Sequence, residues 1–466
     1  MRKWHKYMLT VCVITLMLTP LRVLATDSHD AYIEEKGEEF KRMLHLLTEQ
    51  YAGDEVHREV LFKAAMDGMF EELDTYSTFY TKNQKEAFIE AVSGEFVGIG
   101  VYMELDGDYP KIQQPLPKSP ALKAGVKPED LIIAINGEST KGLSLNEVAS
   151  KVKGKEGTQV NITFRRGDDE FTLELTRQLI KISAVESEDI QTLFPSLSDS
   201  KARQINYIKV NSINENVATD MVPYVEKAKK KGVKYLILDL RDNLGGYVDT
   251  GVDLCNLLIP KGPVLHFINK EGRKHTYRSE LEKAPFELVV LTNENTASAS
   301  EFIAAAVKES GIGVTVGETT YGKGVAQYIW NFSSDYAFKL TMEEFLSRDG
   351  NKINKIGVTP DYEVIVPNLI VSPERLFLDD EMEEVKDVEL ILDYLGYDIN
   401  KPDFVYDQKT ESAITKFQEK HQLRAYGVTD YPTLEMLNEK LVERINEKDI
   451  QLEKALDVIL SKMNKN

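Results

Sequence analysis

Cysteine and histidine are both scarce in this chain. Its 466 residues include two cysteines, Cys12 and Cys255, and seven histidines. Cys12 lies in an N-terminal segment that we expect to be removed, which excludes an intramolecular disulfide and a cysteine-based metal site. The HExxH pattern of zinc peptidases does not occur. We therefore expect neither a metal nor a cofactor.

The chain also has fewer basic than acidic residues. It carries 57 lysines and arginines against 76 acidic residues, a formal net charge of -19. A chain of this sign has no global basic field for nucleic acid, so no nucleic-acid partner is predicted. Its 42% hydrophobic and 29% charged residues are typical of soluble globular proteins, and its length predicts several domains.

The apolar run at residues 8–18 follows basic residues and is short for a membrane span. This layout predicts a secretory signal peptide over residues 1–25, cleaved after Ala25, and hence an extracytoplasmic protein. If it is not cleaved, the same segment would act as an anchor.

Changes of pattern along the chain divide the remainder into units. We predict a helical N-terminal region (26–90), a β-rich segment (91–177), an alternating α/β segment (178–365), an acidic linker (366–386), a small helical unit (387–440) and a C-terminal helix (441–466).

In the β-rich segment, Phe96–Val101 is a glycine-punctuated strand, and Asn136-Gly137 is a tight-turn signal that follows the apolar strand at 131–135. With these features the segment resembles a PDZ domain. PDZ domains bind the C-terminal carboxylate of a peptide through backbone N–H groups. The resemblance assigns that role to the loop of Gly98, Ile99, Gly100 and Val101. The alternative is a small β module whose glycines serve only turns.

Two short segments carry candidate catalytic residues. In Thr296–Glu301 a strand-to-helix turn exposes Ser298, and a helix N-terminus suits a nucleophile because its free N–H groups can bind an oxyanion. Ser298 and Glu301 also have the spacing of a capping box, which any helix can use.

The second segment, Tyr321–Gln327, places Lys323 between two glycines. Buried lysine can lose its proton and act as the base for a serine, so the two segments together predict a Ser-Lys hydrolase. Gly317–Lys323 also matches the opening of a P-loop. Against that alternative, Gly324 replaces the expected Ser or Thr, and Val325–Trp330 has the pattern of a strand.

A glycine-rich loop that follows the buried strand Tyr235–Leu240 could supply a second oxyanion donor, from Gly245 or Gly246. A Ser-His-Asp triad built from distant residues stays open, although no GxSxG elbow surrounds any serine.

The segments DLRDNLGG, TASASEF, GETTYGKGVAQ and GVTPD, in this order after a PDZ-like segment, resemble the C-terminal processing serine peptidases. The resemblance implies that Ser298 is the nucleophile, Lys323 the general base and Gln327 its support. It assigns Ala299, Gly245 and Gly246 to the oxyanion hole. It also implies a crotonase-like α/β core with an inserted PDZ domain, and a homodimer formed through terminal helices. Leu73–Ser77 resembles the family's LDPHS stretch, with Thr-Tyr for Pro-His.

Residues 387–440 resemble a three-helix peptidoglycan-binding module, most clearly in the TESAITKFQ helix that begins at Thr410. The alternative is an ordinary helical bundle. The main hypothesis is thus an extracytoplasmic serine endopeptidase that captures substrate C-terminal tails, with peptidoglycan as a further partner. A non-catalytic cell-wall binding protein, and an enzyme that binds phosphate through the P-loop-like segment, are the alternatives.

Overall fold

The computed structural model describes residues 27–371 and 374–465, with side chains from residue 31 onward. The predicted signal peptide lies outside these residues. Within the described ranges, no helix is long and apolar enough to cross a membrane.

The N-terminal region contains three helices and one short strand: α1 (Asp27–Gln50), α2 (Arg58–Glu71), β1 (Thr78–Thr81) and α3 (Lys82–Ser93). The strand was not predicted, because four residues are too few to show a period. Its sequence TFYT is rich in β-branched and aromatic residues, which favour strands. It pairs with a core strand, so this region is attached to the core.

The next segment forms a sheet with two short helices, in the order β2 (Glu95–Gly98), β3 (Val101–Asp106), β4 (Tyr109–Pro115), α4 (Pro120–Lys123), β5 (Leu131–Ile135), β6 (Glu138–Ser139), α5 (Leu145–Val152), β7 (Gln159–Arg166), β8 (Asp169–Thr176) and β9 (Gln178–Lys181). The sheet order is β3-β4-β5-β7-β8, while β2 pairs with β9. The predicted turn is present, with φ of 51° at Asn136 and 85° at Gly137.

The core that follows alternates strands and helices: β10 (Val185–Glu188), α6 (Ile190–Leu193), α7 (Asp199–Ala202), β11 (Ile205–Val210), α8 (Val217–Lys230), β12 (Tyr235–Asp239), α9 (Val248–Leu258), β13 (Gly262–Asn269), β14 (Lys274–Ser279), β15 (Glu287–Thr292), α10 (Ala299–Glu309), β16 (Gly313–Gly317), β17 (Val325–Asn331), β18 (Tyr336–Leu346) and β19 (Tyr362–Glu363).

The central sheet has the order β10-β11-β12-β15-β16-β19, and its strands from β11 to β19 are parallel. One face packs against α8, α9 and α10. A second, antiparallel sheet contains β1, β18, β13 and β14, with β17 also paired to β18. Parallel strands place their carboxyl ends at one edge, so the loops after β12, β15 and β16 meet there.

The chain ends in four helices, α11 (Glu383–Tyr394), α12 (Gln408–Lys420), α13 (Tyr431–Glu447) and α14 (Ile450–Met463). The first three share a core of their own. The start of α11 takes the last residues of the predicted linker into this module. Helix α14 instead packs on the free face of the central sheet through Leu452, Leu456 and Ile459, which recur at helical spacing in the sequence. The small helical module is therefore inserted between β19 and α14, both of which belong to the core.

Candidate active site

Ser298 lies in a strained turn between β15 and α10. Its backbone has φ 56° and ψ −117°, a conformation that costs a non-glycine residue about 1–3 kcal/mol. Such strain persists only where the surroundings enforce it, and it is common at functional sites. The turn places Ser298, only partly buried, directly before the N-terminus of α10, as predicted.

Glu301 joins this turn to the lysine loop. Its carboxylate is fully buried and accepts the Ser298 N–H at 2.7 Å and the Lys323 N–H at 2.8 Å, both on Oε2. Its Oε1 accepts the Gly322 N–H at 2.7 Å and the Thr320 hydroxyl at 2.5 Å. Burial raises the pKa of Glu301, and these four bonds oppose that rise. Glu301, which the sequence indicates only as part of a capping box, thus joins the serine turn to the lysine loop. Nothing in the sequence pattern indicates this long-range contact.

The glycine-rich loop lies against the serine turn. A Cβ at Gly245 would lie 2.7 Å from the Ala297 oxygen and 2.8 Å from the Ala299 nitrogen, so only glycine fits there. The buried Asn243 fixes the loop, because its carbonyl accepts the Ala297 N–H at 3.0 Å and its Oδ1 accepts the Gly245 N–H at 2.9 Å.

The three predicted oxyanion-hole residues are therefore not equivalent. The Gly245 N–H is already bound to Asn243. Neither the Ala299 N–H nor the Gly246 N–H donates a hydrogen bond to any residue that the structure describes. These two groups remain available for a developing oxyanion.

The side chain of Lys323 is partly buried and lies over an aromatic ring. Its Nζ is 4.8 Å from the centroid of Tyr76, in the LDPHS-like stretch, and the structure shows no hydrogen bond from it to Ser298 Oγ among the described residues. Burial and the nearby Lys339 lower the pKa of Lys323, while Glu301 and Asp74 oppose the shift. A lowered pKa is what a lysine base requires.

Among the described residues, no hydrogen bond joins the Gln327 side chain to Lys323. Its Nε2 donates to Thr341 Oγ1 at 3.1 Å and to the Val325 carbonyl at 3.4 Å. The Thr341 N–H in turn donates to Ser77 Oγ at 3.1 Å, and Ser77 Oγ donates to Asp74 Oδ2 at 2.9 Å. The LDPHS-like stretch is thus a third segment of the candidate site, although its sequence alone indicates no role.

The loop that carries Lys323 is not a P-loop. It is followed by strand β17, as its pattern predicts, and a P-loop requires a helix there. Gly324 packs on the backbone of Asn354, because a Cβ on this glycine would lie 2.3 Å from the Asn354 nitrogen. No group of three or more potential metal ligands occurs among residues 27–371 and 374–465.

Sequence profiles define the class of protein. Residues 204–364 match "Peptidase family S41", residues 111–166 match "PDZ domain", and residues 381–437 match "Putative peptidoglycan binding domain". These matches describe a peptidase core that carries a PDZ domain and a peptidoglycan-binding domain.

Curated relatives give the family. The chain is 34% identical over 413 residues to the "Probable CtpA-like serine protease" of Staphylococcus haemolyticus (strain JCSC1435), covering 86% of this chain and 80% of the relative. It is 33% identical over 409 residues to the protein of the same name from Staphylococcus aureus (strain N315), with the same coverage of 86% and 80%. The chain belongs to the CtpA-like serine proteases of peptidase family S41, which confirms the resemblance that its motifs carry.

Among solved structures, the photosystem II D1 C-terminal processing protease is 27% identical and covers 75% of this chain and 96% of its own length, with a TM-score of 0.43. The crotonase-like character of the core and the unit boundaries stay predictions.

Proposed function

We propose that the chain is an extracytoplasmic endopeptidase that cuts peptide bonds near the C-termini of substrates captured by its PDZ domain. Ser298 is the nucleophile and Lys323 the base. One observation carries this assignment: a single oxygen of Glu301 binds the backbone N–H groups of both residues. Residues 25 positions apart in the chain are thereby fixed as neighbours.

The reaction begins when neutral Lys323 accepts the proton of Ser298 Oγ as this oxygen bonds to the scissile carbonyl carbon. The carbonyl oxygen becomes an oxyanion, held by the N–H groups of Ala299 and Gly246. Lys323 then gives its proton to the leaving amine. Lys323 then deprotonates a water molecule, which attacks the acyl-enzyme carbonyl. As the bond to Ser298 Oγ breaks, Lys323 returns this proton to Oγ and the new C-terminal acid is released.

For this reaction the Lys323 side chain must turn from Tyr76 to Ser298. Gln327 supports the loop through its hydrogen bond to Thr341. We expect substrate in the PDZ domain to favour the turned position, so that the site assembles only with a bound tail.

Location and assembly complete the proposal. The peptidoglycan-binding module supports a place at the cell envelope, where it would bind the wall. Helix α1 exposes Tyr32, Ile33, Met43 and Leu46, each at least 53% accessible, and these side chains suit the predicted homodimer. Helix α14 is packed on its own core, so α1 is the terminal helix available for this contact. Light scattering of the secreted form tests the dimer.

Digestion of casein by the secreted form tests the activity, with Ser298→Ala and Lys323→Ala as partners. We expect cleavage by the wild-type chain and loss of at least about 1000-fold in both variants. Full activity in Lys323→Ala would show that the base lies elsewhere. Activity in Ser298→Ala would contradict the assignment of the nucleophile.

A further inference from the structure

The peptide groove of the PDZ domain is a cavity of about 340 Å³ beside β3 and α5. Its walls are mainly apolar, with Phe96, Ile99, Val101, Met103, Ala149 and Val152 among the lining residues. At the loop end, the N–H groups of Ile99 and Gly100 donate to no residue in the described part of the chain. Two free N–H groups beside an apolar cavity suit a terminal carboxylate with an apolar last side chain.

A helix from outside the domain reaches the same groove. Ala87, Glu90 and Ala91 of α3 also line the cavity. Glu90 Oε1 lies 2.8 Å from Nζ of Lys153, the residue that follows α5, and the two side chains are 29% and 40% exposed. The groove therefore contains an ion pair between the N-terminal region and the PDZ domain.

Lys153 lies next to the carboxylate loop. A Cβ built on Gly98 would lie 3.8 Å from Cγ of Lys153, so the stem of the lysine packs against the loop itself. Its Nζ lies 5.3 Å from the centroid of Phe96, another lining residue. The ammonium is thus at the end of the groove where a terminal carboxylate would bind.

We propose that Lys153 binds the C-terminal carboxylate of the substrate tail and that Glu90 is an internal competitor which the tail displaces. This inference rests on the proposed capture of tails by the PDZ domain. Glu90 offers Lys153 a carboxylate and nothing more. An arriving tail offers the same charge, accepts the free N–H groups of Ile99 and Gly100, and fills the apolar cavity.

The exposure of the pair makes the exchange feasible. A half-exposed ion pair contributes only about 0–1 kcal/mol, so its loss is easily offset. A tail with an amidated end has no charge with which to replace Glu90. The pair therefore lowers the affinity for a tail with a free carboxylate by a modest factor, because such a tail must displace Glu90, whereas an amidated tail leaves the pair in place.

Tail binding to the full secreted chain with Ser298→Ala, which prevents cleavage, tests the inference. The probe is a fluorescein-labelled decapeptide ending in Ala-Val-Val, as the free acid and as the amide, followed by fluorescence anisotropy. We expect Glu90→Gln to tighten binding of the acid roughly three- to fivefold and to leave the amide unchanged. Lys153→Met should weaken the acid at least about tenfold, and Glu90→Gln should then have no effect.

The ion pair between Lys151, in the last turn of α5, and Glu138 serves as the matched control. Lys151 and Glu138 lie 2.7 Å apart and are not among the residues that line the groove. Lys151→Met and Glu138→Gln should leave both affinities unchanged. Lys153→Arg, which keeps the charge, should keep the preference for the acid and guards against misfolding of Lys153→Met.

The outcomes separate this inference from the proposed function. Equal binding of acid and amide by the Ser298→Ala chain and by its Glu90→Gln variant would overturn the role of Lys153. Weaker binding in Glu90→Gln would overturn the role of Glu90 as a competitor. Casein cleavage by the wild-type chain, which retains Ser298, is measured in parallel. Absence of cleavage together with the expected binding results would count against the catalytic assignment and not against the ion pair.

Discussion

Glu301, at the loops of the candidate active site, and Glu90, at the peptide groove, differ in burial and in the number of groups that they bind. Glu301 is fully buried, and both of its oxygens accept hydrogen bonds from the loops that carry Ser298 and Lys323. Glu90 is partly exposed and, within the described ranges, forms an ion pair with Lys153 alone. A buried carboxylate with every acceptor used fixes a backbone, whereas an exposed pair can be exchanged for a ligand. On this account, the backbone of the loops that carry Ser298 and Lys323 is fixed, while the groove exchanges Glu90 for its ligand.

The same substitution at the two glutamates should give the largest contrast. In Glu301→Gln the new NH₂ group faces N–H or O–H donors, whichever way the amide points, so the loops lose bonds that nothing replaces. We expect a loss of about 3–5 kcal/mol in the free energy of unfolding and at least about 100-fold in kcat/KM. Urea unfolding and casein digestion measure these effects.

Glu90→Gln is the control for that experiment, and its free energy of unfolding should change by less than about 1 kcal/mol. Equal effects of the two substitutions would contradict the distinction between a fixing and an exchangeable carboxylate.

Gly245→Ala should reduce activity almost as much as Glu301→Gln. The added Cβ would meet Ala297 and Ala299 at a position with φ 89°, so the serine turn must move and the Ala299 N–H with it. Loss of one oxyanion donor costs about 100- to 1000-fold in kcat, and we expect a decrease of that size.

Gly272→Ala is the matched control for position 245. Gly272 has φ 77°, and its Cβ would meet nothing within 4 Å. This variant should keep its activity and lose only about 1 kcal/mol of stability. Equal kcat values for the two alanine variants would show that contact with the serine turn is unimportant.

A third carboxylate extends the contrast to the C-terminal helix. Asp449 at the start of α14 pairs with Arg241 of the glycine-rich loop through two bonds of 2.8 Å, and Arg241 also pairs with the buried Asp239. Asp449→Ala leaves this cation short of a partner and also removes the cap that Oδ1 of Asp449 forms with the Leu452 N–H at 2.9 Å. The two losses together should cost about 3 kcal/mol, measured by urea unfolding.

The neighbouring pair of Lys448 and Glu453, also at 2.8 Å but with side chains 38% and 40% exposed, is its control. Glu453→Ala should cost less than about 1 kcal/mol. Asp449 is itself 37% exposed, so the two pairs differ mainly in the cation, which is 17% exposed in Arg241. If Glu453→Ala costs as much as Asp449→Ala, burial of the cation is not what decides the strength of these contacts.

The smallest effects should come from charges that act on Lys323 at a distance. Asp74 raises the pKa of Lys323 and Lys339 lowers it. Since the reaction needs neutral lysine, kcat/KM rises with pH as Lys323 loses its proton. Asp74→Asn should move this rise to lower pH and Lys339→Met to higher pH, each changing the rate at fixed pH by less than about tenfold. Shifts in the same direction would contradict the account.

The sequence predicts what depends on local pattern. It shows the order of the motifs, the strand-to-helix turn at Ser298, strand β17 after Lys323 and the apolar stripe of α14. Contacts between distant segments leave no period to detect. Four such contacts therefore emerge only from the fold. They are the long-range hydrogen bonds of Glu301, the pairing of Arg241 with Asp449, the hydrogen bond from the Gly245 N–H to Asn243, and the position of α3 beside the peptide groove.

The most direct test of the account is the activation of Ser298 itself. The rate at which a fluorophosphonate probe labels the chain, with fluoride as the leaving group, is measured across pH for wild type and Lys323→Met. The decapeptide acid ending in Ala-Val-Val is present to occupy the PDZ groove, and the modified residue is located by mass. We predict labelling at Ser298 that rises with pH at a midpoint below the ordinary lysine value, and that Lys323→Met abolishes. Undiminished labelling of Ser298 in Lys323→Met would contradict the role of Lys323 as its base.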